Sequence, residues 1–210
     1  MPTCLDLYSC AGGAGMGYAL AGYDVTGVDI NPQPHYPFRF VQGDALEYVE
    51  AHGREYDLIH ASPPCQRFVR TAKQSGTSEN HPDLISATRA ALIATGRPYV
   101  IENVPDAPLE NAILLCGTMF DLRVIRHRRF ETCPTLYWPP APCRHPKDGP
   151  GRRGNEGKGE YISVYGHFAN LAKARKAMGI DWMTQAELAQ AIPPAYTRWL
   201  GEQILIGIAA

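Results

Sequence analysis

Over the first hundred residues, short apolar runs alternate with segments of helical spacing, and this restricts the possible folds more than any other feature of the chain. Residues 3–8 read as a strand, followed by a glycine-rich turn and a helix ending near Gly22. Residues 24–30 read as a second strand. Val41 follows, then Gly43-Asp44-Ala45 and a helix through about Ala51. Residues 56–60 give the next strand, ending on Pro63-Pro64-Cys65-Gln66. Leu84, Ile85, Ala91, Leu92 and Ile93 have helical spacing within residues 82–95, and residues 98–102 form a strand ending on Glu102. Strands alternating with helices predict an α/β, Rossmann-like fold, a mostly parallel sheet with helices on both faces.

The pattern changes after about residue 120. Residues 123–131 read as a strand. Residues 133–160 are rich in Pro and Gly, which argues against regular structure. Residues 161–166 read as a strand and 170–190 as helical. Pro193-Pro194 separates these from a last helix at 195–208. No repeat or domain-scale linker interrupts the chain, so one domain over residues 1–210 is expected.

Composition narrows the class. With 45% hydrophobic and 20% charged residues, the chain resembles an ordinary soluble protein. No apolar run approaches the roughly 18 residues of a membrane span. The N-terminus enters a strand at once, with no signal-peptide pattern, so a cytoplasmic protein is expected; a monomer is expected as well. Six cysteines then read as reduced thiols. The net charge of −1 excludes a protein that is basic all over. It leaves room for nucleic acid bound through local patches. Arg123, Arg126, Arg128 and Arg129 form one such patch, and Arg144, Lys147, Arg152, Arg153 and Lys158 another.

Chemistry gathers where the strands end, which is where open α/β sheets bind ligands. Gly12-Gly13-Ala14-Gly15-Met16-Gly17 opens a helix after a strand. Such a turn allows close backbone approach to a ligand and offers free N–H groups. Asp29 ends the second strand and can accept hydrogen bonds from ribose hydroxyls. Asp44 stands at the third strand-to-helix step and can reach an adenine amino group. The alternative for either Asp is a helix N-cap. The loose small-residue turn suits a cofactor without a pyrophosphate, such as S-adenosylmethionine. Two prolines stiffen the approach to Cys65 and fix the direction of its thiol. The alternative there is a turn with an incidental buried cysteine. Glu102-Asn103-Val104 lies past another strand end and can face the same cleft. The alternative for Glu102 is a surface cap. A thiolate and a carboxylic acid together can attack an electron-poor heterocycle.

On these residues the chain resembles the C5-cytosine DNA methyltransferase family, in a compact form similar to methylases of phages and prophages. D-L-Y-S-C-A-G-G (residues 6–13) is similar to the family's cofactor motif. P-P-C-Q matches its nucleophile motif and E-N-V its glutamate motif. Arg126-His127-Arg128 resembles its basic motif and Ala191-Ile192-Pro193-Pro194 its C-terminal motif. The motifs occur in family order across about residues 3–205. The resemblance implies Cys65, Glu102, Arg128 and Arg126 as catalytic residues. It implies S-adenosylmethionine held by Tyr8, Ser9, Ala11, Gly12, Gly13, Asp29, Ile30, Asp44, Ala45, Pro63, Gln190 and Ala191, leaving as S-adenosylhomocysteine. It implies DNA against Pro64, Gln66, Arg67, Arg70, Asn103, Arg152 and Arg153. Three positions depart from the family pattern: Cys10 replaces a glycine, Arg126 a glutamine and Gln190 an asparagine. The family's target-recognition domain corresponds here to about residues 130–173, so low or short sequence specificity is expected. The polar 66–81 segment, with Arg67, Arg70 and Lys73, reads as a loop able to close over the site.

Other readings keep the same residues. The acceptor could be RNA or a free cytidine nucleotide, or the cofactor could carry a larger group than methyl. A catalytically silent DNA-binding protein would need neither Cys65 nor Glu102. Cys133, Cys143 and His145, with Cys116, raise the question of a metal. Because no C-x2-C pair accompanies them, they read as scattered thiols and a phosphate-facing histidine, and no metal is expected. Trp138, Trp182 and Trp199 read as packing residues rather than stacking platforms, and Trp138 is the one to test for base contact.

Overall fold

The computed structural model describes residues 1–68, 83–136, 140–145 and 161–209. Readings that fall on Arg70, Lys73, Trp138, Lys147, Arg152, Arg153 and Lys158 lie outside the described residues. The strands are β1 (Thr3–Leu7), β2 (Asp24–Asp29), β3 (Arg39–Gln42), β4 (Leu58–Ala61), β5 (Tyr99–Asn103), β6 (Ile113–Leu115) and β7 (Arg128–Cys133). They form one sheet in the order β3-β2-β1-β4-β5-β7-β6. The first five strands are parallel, while β7 runs antiparallel to both β5 and β6. The strand order reverses at β1, so the crevice above β1 and β4 is the place where this topology binds ligands.

The helices are α1 (Gly13–Leu20), α2 (Ala45–His52), α3 (Ile85–Thr95), α4 (Leu171–Met178), α5 (Gln185–Gln190) and α6 (Pro194–Ala209). Side-chain alternation along the strands divides the core in two. Leu5, Leu7, Ile59 and Ile101 point to the face covered by Val49 of α2 and by Ile85 and Leu92 of α3. Cys4, Leu58 and Val100 point to the other face, covered by Tyr18 of α1 and by Tyr196, Leu200 and Ile204 of α6. Each such buried aliphatic side chain contributes about 1.5–3 kcal/mol. Helix α1 can approach α6 only because Gly17 has no side chain. A Cβ there would lie 2.0 Å from Thr197 Oγ1 and 2.2 Å from the Pro194 carbonyl oxygen. A third cluster, with Ala11, Val124, Ile162, Phe168, Met178 and Met183, fixes the chain after residue 160 beside the glycine turn.

Three readings are corrected. The strand expected over 161–166 is only an isolated parallel bridge between Val124 and Ile162. Arg126 Nη1 donates to the Val164 carbonyl and Gly166 adopts φ +54°, so no ladder can continue. The strand expected over 123–131 begins at Arg128. The helix expected over 170–190 is two helices. Gly179 closes α4 in a left-handed conformation, and Thr184 and Glu187 form a capping box that starts α5. The short strands β3 and β6 were not foreseen. Among the described residues, no helix is long and apolar enough to cross a membrane.

Candidate active site

The turn after β1 is tightly wound. Tyr8 (φ +56°), Cys10 (φ +44°) and Gly12 (φ +80°) are all left-handed. Cys10, where the resembled family has glycine, therefore sits where a side chain is disfavoured. Asp29 pins this turn to β2. Its Oδ2 accepts from the Cys10 amide at 3.0 Å and its Oδ1 from the Asn31 amide at 2.9 Å. Each oxygen keeps a lone pair, so the carboxylate can still accept from two hydroxyls. Asp44 caps α2, accepting from the Leu46 and Glu47 amides at 2.8 and 3.1 Å. The capping alternative is thus realised at Asp44, although the residue still lines the cavity described below.

Cys65 follows β4 and Glu102 lies near the end of β5, and these strands are direct neighbours. Asn103, almost fully buried, holds the two ends in register. Its Nδ2 donates to the Pro63 carbonyl at 2.9 Å, and its Oδ1 accepts from the Val104 amide. Because β7 is antiparallel to β5, its first residues meet the end of β5, where Asn103 pairs with Arg129. This brings Arg128 Nε to 3.0 Å from Glu102 Oε1. The approach is off-angle, and that oxygen has no hydrogen-bond partner. Burial raises the Glu102 pKa above the usual carboxylate value, and Arg128, a Ser62 hydrogen bond and Arg126 only partly oppose it. Burial likewise raises the Cys65 thiol, against the pull of Arg128. Arg126 is 5% exposed, and it also donates from Nη2 to the Ala189 carbonyl at 3.0 Å. Its Nε has no partner. Tyr196 donates to the Arg126 carbonyl at 2.6 Å. Arg126 therefore ties the residues just ahead of β7 to the later segments at Val164 and Ala189.

One cavity of about 860 Å³ gathers these groups. Its wall carries Cys65, Glu102, Arg126 and Arg128. It also carries Tyr8, Ser9, Ala11, Gly13, Asp29, Ile30, Asp44, Ala45, Pro63, Pro64, Gln190 and Ala191. Gly12 and Asn103 are not on that wall: Gly12 supports the turn from behind, and Asn103 supports the strand ends. Gln66 and Arg67 begin the 3-10 turn Gln66–Phe68 just past Cys65. Trp182 donates to the Ala11 carbonyl at 2.8 Å and packs, as expected, rather than facing a ligand.

Several groups escaped the sequence reading. His60 is fully buried in β4. Its Nδ1 meets Tyr18 Oη at 3.0 Å and its Nε2 meets Ser62 Oγ at 2.9 Å. Burial lowers its pKa to about 3, so it stays neutral. Asp6 accepts from Tyr36 Oη at 3.1 Å, and burial pushes its pKa up to about 8 despite that bond. Glu187 enters the cavity wall from α5, paired with His35 at 2.8 Å. A histidine inside an apolar run was a visible signal. Tyr36 lies in a loop and carried none.

No protein-family model matches the chain. The type II methyltransferase M.XorII of Xanthomonas oryzae pv. oryzae is 29% identical over 119 residues, covering 49% of this chain. The chain spans 28% of that relative's length. Three solved structures share the architecture end to end. A candidate DNA modification methyltransferase encoded within a prophage (E. coli) is 13% identical, with full coverage of both chains and a TM-score of 0.63. The Dnmt2 methyltransferase of S. pombe is 13% identical, covering 100% of this chain and 99% of that one, with a TM-score of 0.64. The Entamoeba histolytica methyltransferase EhMeth is 12% identical, covering 99% of each chain, with a TM-score of 0.59. At such identities the likeness is one of fold, and the fold is the α/β, Rossmann-like fold of S-adenosylmethionine-dependent methyltransferases. Within that class, the chain resembles the C5-cytosine DNA methyltransferases in its motifs as well as its architecture.

Proposed function

We propose that the chain transfers a methyl group from S-adenosylmethionine to C5 of cytosine in DNA. The observation that carries this reading is the convergence of Cys65, Glu102 and Arg128 on one cavity wall, opposite the turn pinned by Asp29. The donor set fits the cofactor. Asp29 has two free lone pairs for ribose hydroxyls, and the Ser9–Gly13 turn stands at the start of α1. When bound, the cofactor supplies an electrophilic methyl group on a sulfonium.

The chain's residues supply the rest. The attacking species is the Cys65 thiolate, and the neighbouring Arg128 charge opposes the burial that disfavours it. The sulfur pair forms a bond to C6, and the C5–C6 π pair moves to C5. Glu102, whose burial favours the protonated form against the pull of Arg128, donates to N3, so the ring does not carry the full charge. C5 takes the methyl group with that pair. Loss of the C5 proton to a base in solvent returns the pair to the ring and expels Cys65 as thiolate, and N3 gives its proton back to Glu102. A stacked base hides C6, so the cytosine must leave the duplex, at a cost of about a few kcal/mol.

The test is a DNA duplex carrying 5-fluorocytosine, incubated with the protein and S-adenosylmethionine. Fluorine cannot leave as a cation, so a stable protein–DNA adduct is expected, and Cys65→Ala abolishes it. Mass spectrometry of nucleosides from treated DNA should show 5-methylcytosine. An adduct with a free cytidine nucleotide and none with DNA would overturn the proposed acceptor. Absence of any adduct would overturn the mechanism.

A further inference from the structure

Beside the cavity, whose wall His127 shares, two cysteines and two histidines meet at one point. Cys116 follows β6, and His127 immediately precedes β7. Cys143 and His145 come from the proline-rich segment that follows β7. One ligand atom from each of the four lies within 4.8 Å of every other. Cys116 Sγ is 3.4 Å from His145 Nε2, and Cys143 Sγ is 3.8 Å from His127 Nε2. A tetrahedral zinc with ordinary Zn–S and Zn–N bonds would set such ligand atoms about 3.3–3.8 Å apart. Both of these contacts fall in that range, and the wider pairs, within 4.8 Å, would close by up to about 1 Å.

We propose that Cys116, His127, Cys143 and His145 form a structural zinc site that fastens the segment after β7 to the strand carrying Arg128. The donor set selects the metal. Two thiolates and two imidazoles suit zinc, whereas magnesium and calcium prefer oxygen. Two thiolates also neutralise the ion, so it can sit beside buried Cys116 without net charge. Binding releases the two thiol protons to solvent. Four protein ligands leave no open position, so the site holds chain rather than activating water. Thr118 Oγ1 lies 3.5 Å from Cys116 Sγ and orients it from outside. The link reaches the active site through one residue, because the His127 carbonyl accepts from Arg128 Nη1 at 2.9 Å. Cys133 is exposed at the far end of β7 and takes no part. The inference does not depend on which base the cavity accepts.

The experiment is metal analysis of the full-length protein, purified without chelator. About one zinc per chain is expected. Cys143→Ser and His145→Ala should each reduce retained zinc about tenfold or more, while Cys133→Ser leaves it unchanged. Both altered ligands are on the accessible side, which limits damage to the core. Chelator-stripped protein given cobalt(II) should develop the intense visible bands of tetrahedral coordination and a thiolate charge-transfer band, both lost in Cys143→Ser. A wild-type protein that neither retains zinc nor takes up cobalt would overturn the proposal. Zinc content unchanged by Cys143→Ser and His145→Ala, or a Cys116–Cys143 disulfide in the purified protein, would do the same.

Discussion

Asp6 and His60 lie on neighbouring strands, paired residue to residue, and they pull stability in opposite directions with pH. Asp6 has a folded pKa of about 8 against an unfolded value of about 3.9. The folded state therefore holds a proton that the unfolded state has lost between those values. That contribution is complete below about pH 4 and disappears as pH rises through 8. His60 has a folded pKa of about 3, so it remains neutral while the unfolded chain takes up a proton below about 6.5. Its effect makes stability rise with pH from about 3 to 6.5. Asp6→Asn mimics the protonated acid and still accepts from Tyr36. We expect the gap in unfolding free energy between variant and wild type to widen by about 1.4 kcal/mol per pH unit up to pH 8, then level off. Denaturant titrations at pH 5, 6, 7, 8 and 9 measure it, and a constant gap would remove Asp6 from this role.

At the scale of elements, the hairpin of β6 and β7 decides whether Arg128 reaches Glu102 and the cavity. Its anchor on α3 is the pair Arg89–Glu131, bidentate at 2.7 Å for both contacts, with Glu131 nearly buried. Glu131 also accepts from the Glu110 amide at 2.8 Å, which ties down the approach to β6. Arg89→Ala leaves that carboxylate buried and uncompensated, and we expect a loss of about 3–5 kcal/mol in chemical denaturation. Removing both charges with Arg89→Met and Glu131→Leu should restore part of it. The parallel strands β1, β2, β4 and β5 were legible in the sequence because each is a buried, largely apolar run, whereas β3, four residues exposed at both ends, was not. Nor was the hairpin. Three residues of β6 have no period to detect, and the strand expected over 123–131 only overlaps β7, whose two leading arginines and Glu131 read as surface. Only tertiary partners make those charges tolerable inside. Cys65, Glu102 and the glycine turn were legible because strand ends are marked by Pro, Gly and polar residues. The bracing by Asn103, Tyr36 and His60 was not, since it depends on contacts between distant segments.

For the molecule as a whole, the chain from β7 to α4 is held at intervals. Cys133 pairs with Tyr99 at the end of the sheet opposite the cavity. Ten residues later, Cys143 stands beside His127 at the cavity end. The chain then returns at Ile162, whose amide donates to the Arg123 carbonyl at 2.9 Å. Both flanks of residues 146–160 are thus fixed against residues 123–127. Replacing 146–160 with a Gly-Ser linker of equal length should leave the unfolding midpoint within about 4 °C, the effect of about 1 kcal/mol or less. If these residues choose the target, methylation mapping should show the wild type favouring a short sequence and the replacement losing that preference. A variant that unfolds instead would show that the span carries fold stability. The two-sided attachment has a further consequence for how such a protein can change. A segment clamped at both ends can be exchanged like a cassette. The residues between the clamps can then be altered without re-optimising the position of Arg128, because the clamps separate the two.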